Sequence, residues 1–280
     1  MNRISFSTLA YSCFPSWLPS YPIEEVIKRL SGMGYYGIEI ACASPHAWPD
    51  YLSNDRRKEI KQLLRANKLN VSAMLPAPGG GPGNNPSSPI KEEREFTIKH
   101  YKDIIRLANE WDCPTVIWVA GWAVFGTTQS QAWDYTLSGL VECALYAKEL
   151  GITLVVEPTP ADSNLIETAD DALLLSEKAG EDNVKAMFDT FHVLYRNEVL
   201  SDYVYRMKNK LHYIHIADTD RLPPGQGSGN FDSMLKALKE IDYKGYLSME
   251  VGFHMRKADP DWYASTSIEY LRNKLKEIQW

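Results

Sequence analysis

Residues 184–195 read VKAMFDTFHVLY. The run begins as the material of a buried strand, then meets an acid, Asp189, and an imidazole, His192, three residues later. Burying either group without a partner is costly. A strand that ends on a titratable side chain points to chemistry if its neighbours end the same way.

Three neighbours do. ITLVVE (152–157) ends at Glu157, HYIHIAD (212–218) carries His215, and YLSME (246–250) ends at Glu250. Further strand-like runs are ISFSTLA from Ile4, GIEIA from Gly37, LNVSAML from Leu69 and PTVIWVA from Pro114. Between the strands lie amphipathic stretches. PIEEVIKRLSGMG (22–34) opens on Pro and stops at Gly, as helices tend to. NDRRKEIKQLLRANK (54–68), KEEREFTIKHYKDIIRLANEW (91–111) and QAWDYTLSGLVECALYAKELG (131–151) repeat apolar residues at intervals of three and four. So do FDSMLKALKEID (231–242) and DPDWYASTSIEYLRNKLKEIQ (259–279). Eight strand–helix units in 280 residues predict one α/β domain spanning 1–280, a closed (β/α)8 TIM barrel, with an open doubly wound sheet as the alternative.

Composition narrows the partners. A chain that is 44% hydrophobic and 24% charged is expected to be soluble, and a net charge of −6 argues against nucleic acid. No stretch approaches the roughly 20 apolar residues of a membrane helix, and no signal-peptide pattern opens the chain. Cys13, Cys42, Cys113 and Cys143 lack CxxC spacing, so reduced thiols in the cytoplasm are expected, not a zinc ribbon or disulfide scaffold. PAPGGGPGNNPSSP (76–89), after the third strand, excludes regular structure and reads as either a disordered loop or a mobile lid.

Catalytic groups of such barrels sit at the C-terminal ends of the strands. Glu157, Asp189, His215 and Glu250 would thus converge on one mouth. Three neighbouring carboxylates resist joint ionisation, and a divalent cation removes that difficulty. Three oxygens and one imidazole suit Mn²⁺, Mg²⁺ or Co²⁺, with Zn²⁺ also admissible. The competing reading makes the acids helix caps or partners of Arg. His192 would reach the pocket without joining the metal, or pack as a loop histidine. Arg221 offers a planar fork for a substrate oxygen, or lies solvated on the surface. The glycines at 225, 227 and 229 either approach a phosphate or merely form turns. Tyr11, Phe14, Trp17, His46, Trp48, Trp118 and Trp122 fall near predicted strand ends, where rings would line a polyol pocket or fill the core.

With those residues in hand, the chain resembles the xylose isomerase-like barrels, specifically the ketose 3-epimerase branch. DTFH (189–192), HIADTDRLPPGQG (215–227) and SMEVGF (248–253) carry the resemblance, while GYYGIEIACASPHAWP (34–49) and VEPTPADSN (156–164) are similar to fructoselysine 3-epimerases. The resemblance implies a metal, most often Mn²⁺ or Co²⁺, held by Glu157, Asp189, His215 and Glu250. It implies that Glu157 and Glu250 act as acid and base in inverting C3 of a ketose through a cis-enediolate. His192 and Arg221 would bind sugar oxygens, with His46, Trp118 and Asn164 also on the substrate side. One departure stands out: the branch commonly carries a second Glu after the strand-five ligand, where this chain has Ser163 and Asn164. That puts a free ketohexose in question as the substrate. Competing activities are aldose–ketose isomerisation, with a second metal drawing on His192 and Asp218, and metal-dependent dehydration or lysis of a keto-sugar or keto-cyclitol. A non-catalytic sugar-binding protein is a further alternative, and an abasic-site endonuclease is disfavoured by the net charge and by having only six histidines. Assembly as a homodimer or homotetramer is expected from the resemblance.

Overall fold

The computed structural model describes residues 3–12, 20–76, 84–252 and 259–280. Eight strands pair in chain order and close on themselves: β1 (Arg3–Ser7), β2 (Gly37–Cys42), β3 (Asn70–Pro76), β4 (Thr115–Val119), β5 (Thr153–Glu157), β6 (Val184–Asp189), β7 (Leu211–Ile216) and β8 (Tyr246–Met249). Every pair is parallel, and β8 returns to β1 through Arg3–Tyr246 to Phe6–Met249. The barrel therefore replaces the open-sheet alternative.

Around it lie α1 (Ile23–Gly32), α2 (Asn54–Ala66), α3 (Lys91–Glu110), α4 (Gln129–Glu149), α5 (Ala169–Ala179), α6 (Thr190–Tyr195), α7 (Leu200–Met207), α8 (Phe231–Glu240) and α9 (Pro260–Glu277). Local sequence explains several starts. Thr128 and Gln131 form a reciprocal capping box before α4, and Thr168 with Asp171 does so before α5. Gly180 closes α5 in the left-handed conformation, which glycine adopts without steric cost. α5, α6 and α7 have no counterpart among the helical runs quoted above.

Strand alternation divides the core in two. On β2 and β4 to β7 odd-numbered residues face the barrel axis, where Ala41, Ile117, Val155, Met187 and Tyr213 form one buried cluster, while even-numbered residues such as Ile38, Val116, Leu154, Phe188 and Ile214 pack outward against the helices. On β8 the parity is reversed, with Tyr246 in the inner cluster and Leu247 and Met249 in the outer core. No helix of the described residues is long and apolar enough to cross a membrane. Cys42, Cys113 and Cys143 are buried free thiols, and burial pushes Cys113 and Cys143 up to about 12. Part of the 76–89 segment is fixed. Asn85 Oδ1 accepts from the backbone N–H of Trp122 and Ser87, and Ser87 Oγ donates to the Ala120 carbonyl. Residues 84–89 thus belong to the structure, not to a disordered loop; the 77–83 portion of the expected lid lies outside the described residues, as do Cys13, Phe14 and Trp17.

Candidate metal centre

The same parity that turns Val155, Met187 and Tyr213 inward turns Glu157, Asp189 and His215 inward two residues later. Glu250 follows directly on β8, two residues after inward-facing Ser248. One ligand atom from each of Glu157, Asp189, His215 and Glu250 lies within 4.8 Å of all the others, and all four residues are buried. His215 turns Nδ1 to the group, at 2.9 Å from Glu157 Oε1 and 3.3 Å from Glu250 Oε2.

The charged groups of this cage shift one another strongly. Burial raises the Glu157 carboxyl above the usual range, and Asp189 adds to the rise. Burial raises Glu250 well above it, with Asp189 and Glu157 contributing. Burial alone would raise Asp189 too, but the Arg221 guanidinium, helped by His192 and His215, brings it down to about 2. Burial would depress the His215 imidazolium, yet Glu250, Glu39 and Glu157 hold it well above the ordinary histidine value. Arg221 is buried, donates from Nη1 to Asp189 and to Glu250 Oε2 at 2.7 Å, and stacks 4.1 Å over the Phe191 ring. Four buried carboxylates, Glu39 included, therefore face two cationic side chains. That excess of negative charge, with hard oxygen donors and one imidazole, fits a divalent cation. The helix-cap reading also holds in part: Asp189 Oδ1 accepts from Phe191 N–H at the start of α6, leaving Oδ2 for the cage.

The remaining candidates separate. His192 sits on α6, not on a loop; burial pushes its pKa down to about 3, so the ring is neutral. Its Nδ1 accepts from Ala161 N–H at 3.4 Å, and Nε2 lies 3.5 Å from Asp162 and 4.0 Å from Asp189. Trp118 does not face the mouth. Its even position turns it outward, where Nε1 donates to Thr136 on α4 and the ring packs 4.3 Å from Tyr101 on α3. Asn164 spends its side chain on backbone, accepting from Ala123 N–H and donating to Ala123 O, so it joins two loops of the mouth. Ser163 does likewise through the Gly121 carbonyl. His46 is buried, with Nε2 3.0 Å from the Tyr21 carbonyl, and burial lowers its pKa to about 4. Tyr11 donates to Asp261, and Trp48 stacks 4.5 Å from His100.

Asp218 organises the loop after β7. Its Oδ1 accepts from Thr219 and Gly229 N–H, and its Oδ2 from Gly225 and Gly227 N–H, all at 2.8–2.9 Å. The glycine amides that could have cradled phosphate are thus taken by an internal carboxylate. A Cβ on Gly227 would lie 2.5 Å from Asp218 Oδ1 and 2.2 Å from Thr219 Oγ1. The loop holds Asp220 and Arg221 at φ of 59° and 58°, a region costly for side chains with a Cβ, and so aims Arg221 into the cage.

Glu39 escaped sequence reading. It stands mid-strand in GIEIA, fully buried, with Oε2 2.7 Å from His215 Nε2. Burial opposes its charge, but His215, with the Ser7 and Tyr213 hydroxyls, holds its pKa below the usual value. Its signal was an acid at inward parity between two outward isoleucines.

Residues 27–274 match the family model described as "Xylose isomerase-like TIM barrel". The chain belongs to that family. It is 28% identical over 262 residues to the fructoselysine 3-epimerase of Shigella flexneri, covering 91% of this chain and 94% of the relative. It is 29% identical over 230 residues to the D-psicose 3-epimerase of Agrobacterium fabrum, covering 80% and 77% respectively. The fold superposes with a TM-score of 0.82 on the crystal structure of D-psicose 3-epimerase with D-tagatose from Clostridium cellulolyticum H10, at 21% identity and covering 98% and 99%.

Proposed function

We propose that this family member is a divalent-metal-dependent sugar epimerase that inverts C3 of a ketose or ketose conjugate, with Mn²⁺ as the working cation. The observation that carries the reading is the convergence of four ligand atoms within 4.8 Å, two of them from the glutamates Glu157 and Glu250. A cation there would supply Lewis-acid polarisation of the substrate carbonyl, lowering the pKa of the adjacent C–H.

The side chains do the rest. One glutamate takes the C3 proton; the C–H electron pair forms the C2–C3 double bond while the C2–O2 π pair moves onto O2, giving an enediolate. The other glutamate returns a proton to C3 from the opposite face, and the centre is inverted. A positioned carboxyl typically contributes about 10²- to 10⁴-fold. Arg221, fixed by its two carboxylate partners, holds a sugar oxygen as a planar donor, and His192 presents Nε2–H to another. Two features support an unphosphorylated substrate and a single cation: the glycine amides after β7 are occupied, and Asp218, the second-metal candidate, is the group that occupies them. The fructoselysine 3-epimerase relatives, together with Ser163 and Asn164 at the mouth, support a ketose carrying a substituent at C1.

The test is solvent deuterium. Mn²⁺-loaded protein in D₂O should place deuterium at C3 of one member of a panel of ketohexoses, ketopentoses and fructosamines. Glu157→Gln and Glu250→Gln should each lower exchange by at least about 10²-fold. Undiminished exchange in both variants would refute the acid–base assignment.

A further inference from the structure

Resting on the metal-centre reading, we infer that Glu39 is a positioning residue that sets which nitrogen of His215 faces the cation. The four candidate ligands and both proposed proton carriers come from β5 to β8. Glu39 comes from β2, across the barrel, and no step above employs it. A fully buried carboxylate persists only where a partner repays its lost hydration. Beside the Ser7 and Tyr213 hydroxyls, the ionisable partner is His215, whose Nε2 lies 2.7 Å from Glu39 Oε2.

The geometry of the ring then decides the chemistry. An ionised carboxylate can only accept, so the hydrogen between the two residues belongs to Nε2. With Nε2 committed as donor, Nδ1 is the nitrogen that offers a lone pair once a cation displaces its proton. It is Nδ1 that lies 2.9 Å from Glu157 and 3.3 Å from Glu250, inside the cage. The contact also fixes the ring plane, because His215 is gripped at both nitrogens from opposite sides. β2 is well suited to hold the acceptor still. Ile38 and Ile40 on either side of Glu39 are buried in the outer core, and its backbone is in register with Ser7 of β1. Losing such a partner to a ligating histidine typically costs 10- to 100-fold in metal affinity.

The experiment titrates chelator-treated protein with Mn²⁺ by calorimetry and compares wild type, Glu39→Gln and Glu39→Ala. The glutamine variant, nearly isosteric and still able to accept from Nε2–H, should bind about tenfold more weakly, and the alanine variant up to about 100-fold more weakly. In ¹⁵N-histidine spectra of the Zn²⁺-loaded wild type, His215 should show a protonated Nε2 and a metal-bound Nδ1. This readout needs no variant, so it stands even if Glu39→Ala does not fold. Wild-type Mn²⁺ affinity in Glu39→Gln, or a Zn²⁺-loaded His215 bound through Nε2, would overturn the inference while leaving the centre intact. A wild-type protein that takes up neither Mn²⁺ nor Zn²⁺ would refute the metal centre itself and Glu39's role with it.

Discussion

Replacing Asp218 by Asn removes one oxygen from a carboxylate that receives four backbone N–H groups. Either orientation of the amide turns two of these acceptances into donor–donor contacts. If Nδ2 takes the Oδ2 place, Gly225 and Gly227 lose their partner; if it takes the Oδ1 place, Thr219 and Gly229 do. Hydrogen bonds to a charged acceptor contribute about 1.5–3 kcal/mol each, so two lost bonds should cost about 3–6 kcal/mol. Water cannot easily repair the loss, because Asp218 is fully buried. The same turn holds Arg221 at positive φ, and Gly252 N–H is tied to the Arg221 carbonyl, so loosening it should also misplace the guanidinium. Urea unfolding followed by tryptophan fluorescence measures the first effect, and kcat/KM measures the second. A variant within about 1 kcal/mol of wild type would refute the view that this carboxylate organises the loop, since that is less than one of the lost bonds.

Other outcomes follow from the same geometry. Burial keeps His46 neutral to about pH 4, whereas an unfolded histidine takes up a proton below about 6.5, so its contribution is complete above 6.5 and is lost as pH falls toward 4. The stability gap between wild type and His46→Gln should therefore shrink by about 2 kcal/mol between pH 7 and pH 5; a gap independent of pH contradicts the buried neutral ring. Trp118→Phe should cost at least about 1 kcal/mol, from the lost bond to Thr136 and the space left beside Tyr101, with KM unchanged. A raised KM at full stability would return Trp118 to the pocket.

The strands were readable because β-branched runs bounded by turn residues leave few alternatives, and the eightfold count then implied closure. Glu157, Asp189 and His215 were readable because a polar group two residues beyond an inward apolar one must share its face. Trp118 breaks that same rule by one residue: proximity to a strand end was read without parity. Glu39 obeys it, but stands in mid-strand, away from the ends where barrel chemistry is sought. α6 went unread because it begins on the residue after Asp189, with no loop to announce it. Asp218 was legible only as a possible second-metal ligand; its role in the loop was not, since its partners are amides that only the folded turn brings together. Sequence shows a glycine's freedom, not the acceptor its N–H will meet.

The most direct test of the account is the stoichiometry of Mn²⁺ uptake by chelator-treated wild type beside Asp189→Asn. The buried cage predicts one ion per chain in the wild type and binding weakened at least tenfold in the variant. Uptake of no ion, or equal affinity in the two proteins, would contradict it.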